Sequence, residues 1–135
     1  MITYTYSLEN IAADQLQGFF VGWPNPPTPE THLRLLRGSD AVVLAVDDQT
    51  GQVVGFITAI SDGVLAAYIP LLEVLPAYQG QGIGTELARR MLGHLRQFYM
   101  VDVICDPTVQ PFYARLGMQP YSGMIRRHYD RQNGA

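Results

Sequence analysis

Residues 76 to 90, PAYQGQGIGTELARR, set three alternating glycines between an apolar run and a helical pattern. Gly80, Gly82 and Gly84 leave the main-chain amides unshielded, and Ile83 opens an amphipathic stretch with Ile83, Leu87, Met91, Leu95 and Phe98 on one stripe. The first amides of a helix have no intrahelical partner and carry partial positive charge. A bare loop leading into a helix is therefore suited to an anion. The apolar run before it, VLAAYIPLLEVL (64–75), reads as a strand covered on both faces. Pro70 within it and Pro76 after it predict a bulge or break in pairing, then a stop.

Working outward, MVDVIC (100–105) reads as the next strand. A strand–loop–helix–strand unit implies a parallel pair with a right-handed crossover. TVQPFYARLG (108–117) reads as a short helix closed by Gly117, and QPYSGMIRRHY (119–129) as a final strand, before a frayed tail DRQNGA. Upstream, AVVLAV (41–46) and QVVGFITAI (52–60) form a hairpin across DDQTG, with Gly51 available for positive φ. ITYTYSL (2–8) alternates as a first strand, and IAADQLQGFF (11–20) has helical spacing. VGWPNPPTPE (21–30) holds four prolines and must be a loop. A second short helix follows, with Thr28 as cap, Pro29 at its first position and Gly38 past its end. The order is β α α β β β α β α β, a mixed α/β sheet with helices on both faces.

The 135 residues suit one domain. A net charge of −3 gives no electrostatic footprint for nucleic acid or an anionic membrane. Cys105 stands alone, which excludes an internal disulfide and a clustered thiolate metal site, so no metal is expected. The N-terminus lacks the basic and apolar regions of a secretion signal, and no apolar run reaches spanning length; a cytoplasmic setting is the default. All nine basic residues are arginine, which we attribute to genome composition.

Two familiar anion loops fail by residue identity. A Walker A loop needs a lysine, and the chain has none. The dinucleotide fingerprint needs glycine at position 85, which is Thr85. A glycine-rich turn that merely packs helix on strand is the structural alternative. LLEVLPAYQGQGIG, however, resembles the central motif of the GNAT acetyltransferase superfamily, an apolar strand followed by Q/R-x-x-G-x-G/A. CDPTVQPFYARLGMQPY is similar to that family's second conserved region, N-x-x-A-x-x-F-Y-x-x-x-G-F: Phe112, Tyr113 and Gly117 match, whereas Asp106, Val109 and Met118 replace Asn, Ala and Phe. The order of elements is also the family's.

The resemblance implies a mostly antiparallel sheet with a central, splayed parallel pair, and acetyl-CoA as co-substrate. It places the pyrophosphate on the segment Gln79, Gly80, Gln81, Gly82, Ile83, Gly84 and Thr85, near Phe112, and the pantetheine arm on main-chain groups near Glu73, Val74 and Leu75. Acyl transfer to an amine needs a deprotonated nucleophile, at a cost of about 4–5 kcal/mol for an alkylamine at pH 7, and a stabilised oxyanion. The free N–H of Val74 is the oxyanion candidate. Tyr113 stands where many members carry a tyrosine near the CoA sulfur, and a hydrogen bond to the leaving thiolate suits it better than full proton transfer. Packing of helix on sheet is its other reading.

Glu73, an acid inside an apolar strand, is the leading base candidate, with an outward-pointing edge position as the alternative. Asp102 and Asp106 stand behind it, the latter as a possible helix cap. His94 is expected at the surface, as is His32, whose other reading is a titrating group near the acceptor end; Cys105 is expected as a structural thiol. Phe20, Trp23 and Tyr68, with Tyr121 added, are the expected acceptor wall. The acceptor is a small-molecule or peptide amine, and the chain is a candidate homodimer. Two rival readings are a non-catalytic acyl-CoA-binding module and an interaction module built on the Trp23 loop.

Overall fold

A computed structural model describes residues 1–135. Six strands form one sheet: β1 (Ile2–Thr5), β2 (Ala41–Asp47), β3 (Val53–Ser61), β4 (Ala66–Ile69), β5 (Leu72–Val74) and β6 (Met100–Val103). The order is β1-β2-β3-β4-β6, with β5 also on β3. Every pairing is antiparallel except that of β4 with β6, which is parallel. The helices are α1 (Pro29–Gly38), α2 (Ile83–His94) and α3 (Gln110–Ala114). This is the mixed, mostly antiparallel architecture expected.

The expected third strand is two. Ile60 pairs with Tyr68, but Ile57 pairs with Leu72, so one extra residue sits in the second strand around Pro70. That is a bulge, and Pro70, which has no N–H to donate, is suited to it. The β3 ladder resumes with Thr58 N–H donating to the Leu71 carbonyl. β6 follows β4 from Ala66↔Met100 to Ile69↔Val103 and does not continue onto β5. The parallel pair therefore parts at the bulge.

A second bulge shapes the α2 side of the sheet. Ala45 pairs with Gly55 but Val46 with Val53, leaving an extra residue in β3. Val54, Ile57 and Ala59 face α2, whereas Val53 and Phe56 join the opposite core with Leu33 and Leu36 of α1. In β2 the plain period of two sends Val43 and Ala45 to α2, and Val42 and Leu44 to α1. The apolar stripe of α2 meets this sheet, with Ala88 added and Leu95 just past the helix end. Thr28 caps α1 as expected, its hydroxyl accepting from Thr31 N–H at 3.1 Å, with Pro29 at the first position; Gly38 is the last helical residue rather than the residue beyond.

Three expectations are corrected. Residues 11–20 form one 3-10 turn (Ala13–Gln15) instead of a helix. Their main-chain groups find other partners: Gln15 and Gln52 side chains bond the backbone of this segment and of the β2–β3 turn, and the chain takes positive φ at Gly18 and Phe20. Leu16, Phe19 and Phe20 are buried all the same. Residues 119–129 form no strand; 119–127 take part in no hydrogen bond within the chain. The tail is docked: Gln132 Oε1 accepts from Asn25 N–H at 2.8 Å, and Arg34 donates to the Gly134 carbonyl at 3.1 Å.

Gly55 determines how closely α2 lies on the sheet. A Cβ there would sit 3.0 Å from Leu87 Cδ1 and 3.3 Å from Ile83 Cγ2. Gly55→Val is expected to push the first turn of α2 outward and destabilise the fold by about 1–3 kcal/mol. Urea unfolding checks this; an unchanged midpoint would mean that α2 does not depend on that approach.

Candidate functional site

The loop between β5 and α2 shapes a small cleft of about 270 Å³ lined by Val74, Tyr78, the loop glycines, Thr85 and Phe112. Gly80 and Gly82 both take left-handed φ, +79° and +83°. These turns leave the main-chain N–H groups of six successive residues, Gly80 to Thr85, with no acceptor in the chain; the first helical bond is donated by Glu86 to Gly82. A run of unpaired amides at the start of a twelve-residue helix is a strong cradle for a negative group.

The loop's shape is held from both ends. Gln79 donates its side-chain amide to the Val74 carbonyl at 3.0 Å. Tyr78, which the sequence reading missed, donates its hydroxyl to Asp47 at 2.6 Å, tying the loop to the β2–β3 turn. That bond raises the Tyr78 pKa and lowers that of Asp47. Nothing in the spacing of residues 47 and 78 announces this contact. Gln81 is exposed and does not line the cleft.

β5 presents its two faces to different parts of the site. The β3 ladder uses Leu71 and, through Leu75 N–H donating to Val54 at 2.8 Å, Leu75. In an antiparallel ladder the alternate residues point their polar groups the other way. The main-chain groups of Leu72 and Val74 are thus turned toward the gap left by β6, and the Val74 carbonyl meets Gln79 there. Val74 remains a free-amide candidate; Leu75, whose N–H is bonded to Val54, does not.

Glu73 projects to the opposite face. Its carboxylate accepts from Phe20 N–H at 2.9 and 3.0 Å and from Val21 N–H at 3.2 Å. It is half-buried, not an outward edge residue, and it holds a loop in place. Phe20 takes φ +63° there and buries its ring 4.9 Å from Trp23, which is partly exposed. Phe20, Trp23 and Glu73 are thus brought together. Tyr68 lies on β4, partly exposed, and Tyr121 is almost fully exposed, outside this group.

Phe112 and Tyr113 diverge. Phe112 lines the glycine-loop cleft, whereas Tyr113 lines a larger cavity of about 790 Å³ along β6, together with Cys105 and Asp102. Burial, with a smaller effect of Cys105, pushes the Tyr113 hydroxyl up to about 12, so it keeps its proton. Asp106 precedes the 3-10 turn 107–109, but its side chain caps nothing. His94 is exposed as expected. No group of side chains able to hold a metal is present, and no helix is long and apolar enough to cross a membrane.

This geometry matches a known family. The model of the acetyltransferase (GNAT) family matches residues 7–118. The chain belongs to the GNAT acetyltransferase family. A crystal structure of a candidate acetyltransferase from Deinococcus radiodurans R1 is 51% identical with a TM-score of 0.95, covering 99% of this chain and 93% of that one. A GNAT family acetyltransferase of Streptococcus pneumoniae TIGR4 is 31% identical with a TM-score of 0.75, over 95% of this chain and 98% of that one. Among curated proteins, GCN5-related N-acetyltransferase 1, chloroplastic, of Arabidopsis thaliana is 30% identical over 113 residues, 81% of this chain. The chain spans 57% of that relative's length, and 58% of the uncharacterized N-acetyltransferase ycf52 of Porphyra purpurea.

His32 corrects the expectation of a surface histidine. It is 1% exposed, boxed by Phe19, Phe20 and Phe56, and neither ring nitrogen has a partner. Burial lowers its pKa to about 4. Below pH ~6.5 the unfolded chain takes up a proton that the folded chain refuses. Stability is therefore expected to fall as the pH drops from about 6.5 to about 4, by roughly 3 kcal/mol from this group. Urea titrations of the wild type and His32→Leu across that range should differ by this slope; parallel curves would place the proton elsewhere.

Proposed function

We propose that the chain is an acetyl-CoA-dependent N-acetyltransferase that transfers an acetyl group directly from the thioester to a primary amine. The observation that carries this reading is the run of unpaired amides from Gly80 to Thr85 beside the parted strands, in a member of the GNAT family. The residues fit the co-substrate: the loop amides suit a pyrophosphate, and the free edge of β5 at Val74 suits the amide-bearing arm of the cofactor. The thioester supplies the activated acetyl group.

The chain's own residues take the remaining tasks. Val74 N–H is the proposed donor to the developing oxyanion. Tyr113, which keeps its proton, is the proposed hydrogen-bond donor to the departing thiolate; it lines the larger cavity along β6 and not the glycine-loop cleft. Glu73, beside Phe20 and Trp23, is the proposed base, directly or through a water, for an amine docked on that apolar wall.

One observation favours a second reading, a non-catalytic acyl-CoA-binding module. The Glu73 carboxylate already accepts from two main-chain amides, and no acid lines the glycine-loop cleft. Release of free CoA thiol against a panel of small and peptide amines separates the two readings.

Gly82→Val tests the cradle. Gly82 takes φ +83° at the start of α2, and an added Cβ there meets nothing within 4 Å, so a branched side chain would occupy the space of the anion. Calorimetric titration with acetyl-CoA is expected to show loss of binding in this variant with the circular dichroism of a folded protein, whereas Gly84→Ala, a change the motif admits, is the control that keeps binding. Wild-type protein that binds no acetyl-CoA would overturn the proposal.

Glu73→Gln keeps an oxygen for the Phe20 amide but cannot take a proton. The expected result is a fall of about 10²-fold or more in kcat/KM near pH 7, partly recovered at higher pH as the amine deprotonates unaided, with acetyl-CoA affinity within a few fold. A rate near that of the wild type would leave Glu73 as an anchor of the acceptor wall alone.

A further inference from the structure

Of the three histidines only His32 lies inside the protein, and the proposed chemistry gives it no task. Its ring centroid is 5.3 Å from that of Phe19, 4.9 Å from Phe20 and 4.4 Å from Phe56, with both nitrogens unbonded. Thr58, on the Phe56 face of β3, also has a buried hydroxyl without a partner, so it does not bond the ring. A neutral imidazole tolerates this box; an imidazolium there would be a buried charge with nothing to meet it. α1 holds Glu30, Arg34 and Arg37 at exposed positions, and β3 presents Phe56 and Thr58. Glu73 on β5 gives its carboxylate to the Phe20 and Val21 amides, and the tail reaches α1 at Thr31 and Arg34 through Gly134, which carries no charge. Burial alone sets the state of the ring.

The segment that covers the ring has the backbone of a hinged flap. Gly18 and Gly22 take φ of +88° and +82° and bracket it, and Phe20 between them holds a strained +63°. Two sets of contacts fasten the segment. The rings of Phe19 and Phe20 pack on His32, and the amides of Phe20 and Val21 bond Glu73. α1, by contrast, is anchored in the core by Leu33 and Leu36. The easier exit for the imidazole is therefore past the segment and not past the helix.

We propose that residues 18–22 are a lid, latched by the neutral ring of His32 and released when that ring takes a proton. The release reaches the apolar wall: Phe20 lifts away from Trp23, and the Glu73 carboxylate loses both of its main-chain donors. That an amine docks on this wall rests on the proposed acetyl transfer; the latch itself does not. With the lid open the ring is in water and titrates at its ordinary 6.5; with the lid closed it titrates at about 4. A closed-state pKa below the open-state one favours closure above about pH 6.5, and that preference is lost as the pH falls toward about 4. The ratio of open to closed lid therefore rises about 30-fold between neutral pH and pH 5.

Trp23 is the chain's only tryptophan and its ring lies 4.9 Å from that of Phe20, so its fluorescence reports the lid. In the wild type Trp23 emission is expected to move to the red between pH 6.5 and 4 while the far-UV circular dichroism keeps its neutral-pH value. Hydrogen exchange of the Phe20 and Val21 amides, corrected for the intrinsic rate, is expected to speed up about 30-fold from neutral pH to pH 5. At every pH these amides should exchange about ten-fold or more faster than those of α1, the mark of a local opening. His32→Leu is expected to abolish the fluorescence transition. Glu73→Gln, which keeps an acceptor for the Phe20 amide and removes the carboxylate as a titrating group, is expected to retain it. Wild-type emission that stays constant until the circular dichroism is lost overturns the inference, and so do lid amides that exchange no faster than those of α1. Both outcomes need only the wild type, so the test stands whether or not His32→Leu folds. A transition that persists in His32→Leu or vanishes in Glu73→Gln also overturns it. None of these readouts uses acetyl transfer or acetyl-CoA, so failure here and failure of the proposed activity are distinguishable.

Discussion

Pro70 sits in the bulge that separates β4 from β5, and the site depends on that interruption. β3 can accommodate the extra residue and resume its ladder at Leu71, whereas β6 stays with β4. Beyond the bulge β5 is therefore bonded on one side only. Antiparallel alternation then turns the polar groups of Leu72 and Val74 into the gap. A polar strand edge in the middle of a sheet is costly unless something bonds it. The Gln79 side chain meets part of that need at the Val74 carbonyl, and the remainder is open to a ligand.

The same strand divides the labour of the site. Residues 73 and 74 point to opposite faces because successive strand residues do. Val74 faces α2 and the glycine loop; Glu73 faces the Phe20 and Trp23 wall and bonds its backbone. An acyl donor held at the loop and an amine held at the wall would meet at the edge of β5. The short lever between the two faces also means that any shift of the 18–23 loop reaches the strand through the Glu73 carboxylate. Gly55 and Tyr78 act on the α2 face alone, one by letting α2 approach the sheet, the other by fastening the loop to Asp47.

Local sequence determined the elements whose causes are local. Thr28-Pro29 starts α1 because the hydroxyl reaches an amide three residues on. Gly80, Gly82 and Gly84 before the apolar stripe make the loop and α2, since left-handed φ and free helix amides follow from those residues alone. The apolar runs 41–46 and 52–60 on either side of DDQTG set the hairpin, and Pro70 announces the bulge. Tertiary structure decided the rest. Residues 11–20 carry helical spacing, yet their amides and carbonyls are taken by Gln15, Gln52 and Glu73, two of which are distant in sequence. His32 is as polar by itself as His94, and only the meeting of three phenylalanines around it makes it a buried, neutral group. Residues 119–129 read as a strand by themselves, but a strand exists only with a neighbour to bond, and the chain's own fold leaves a gap where that neighbour would lie.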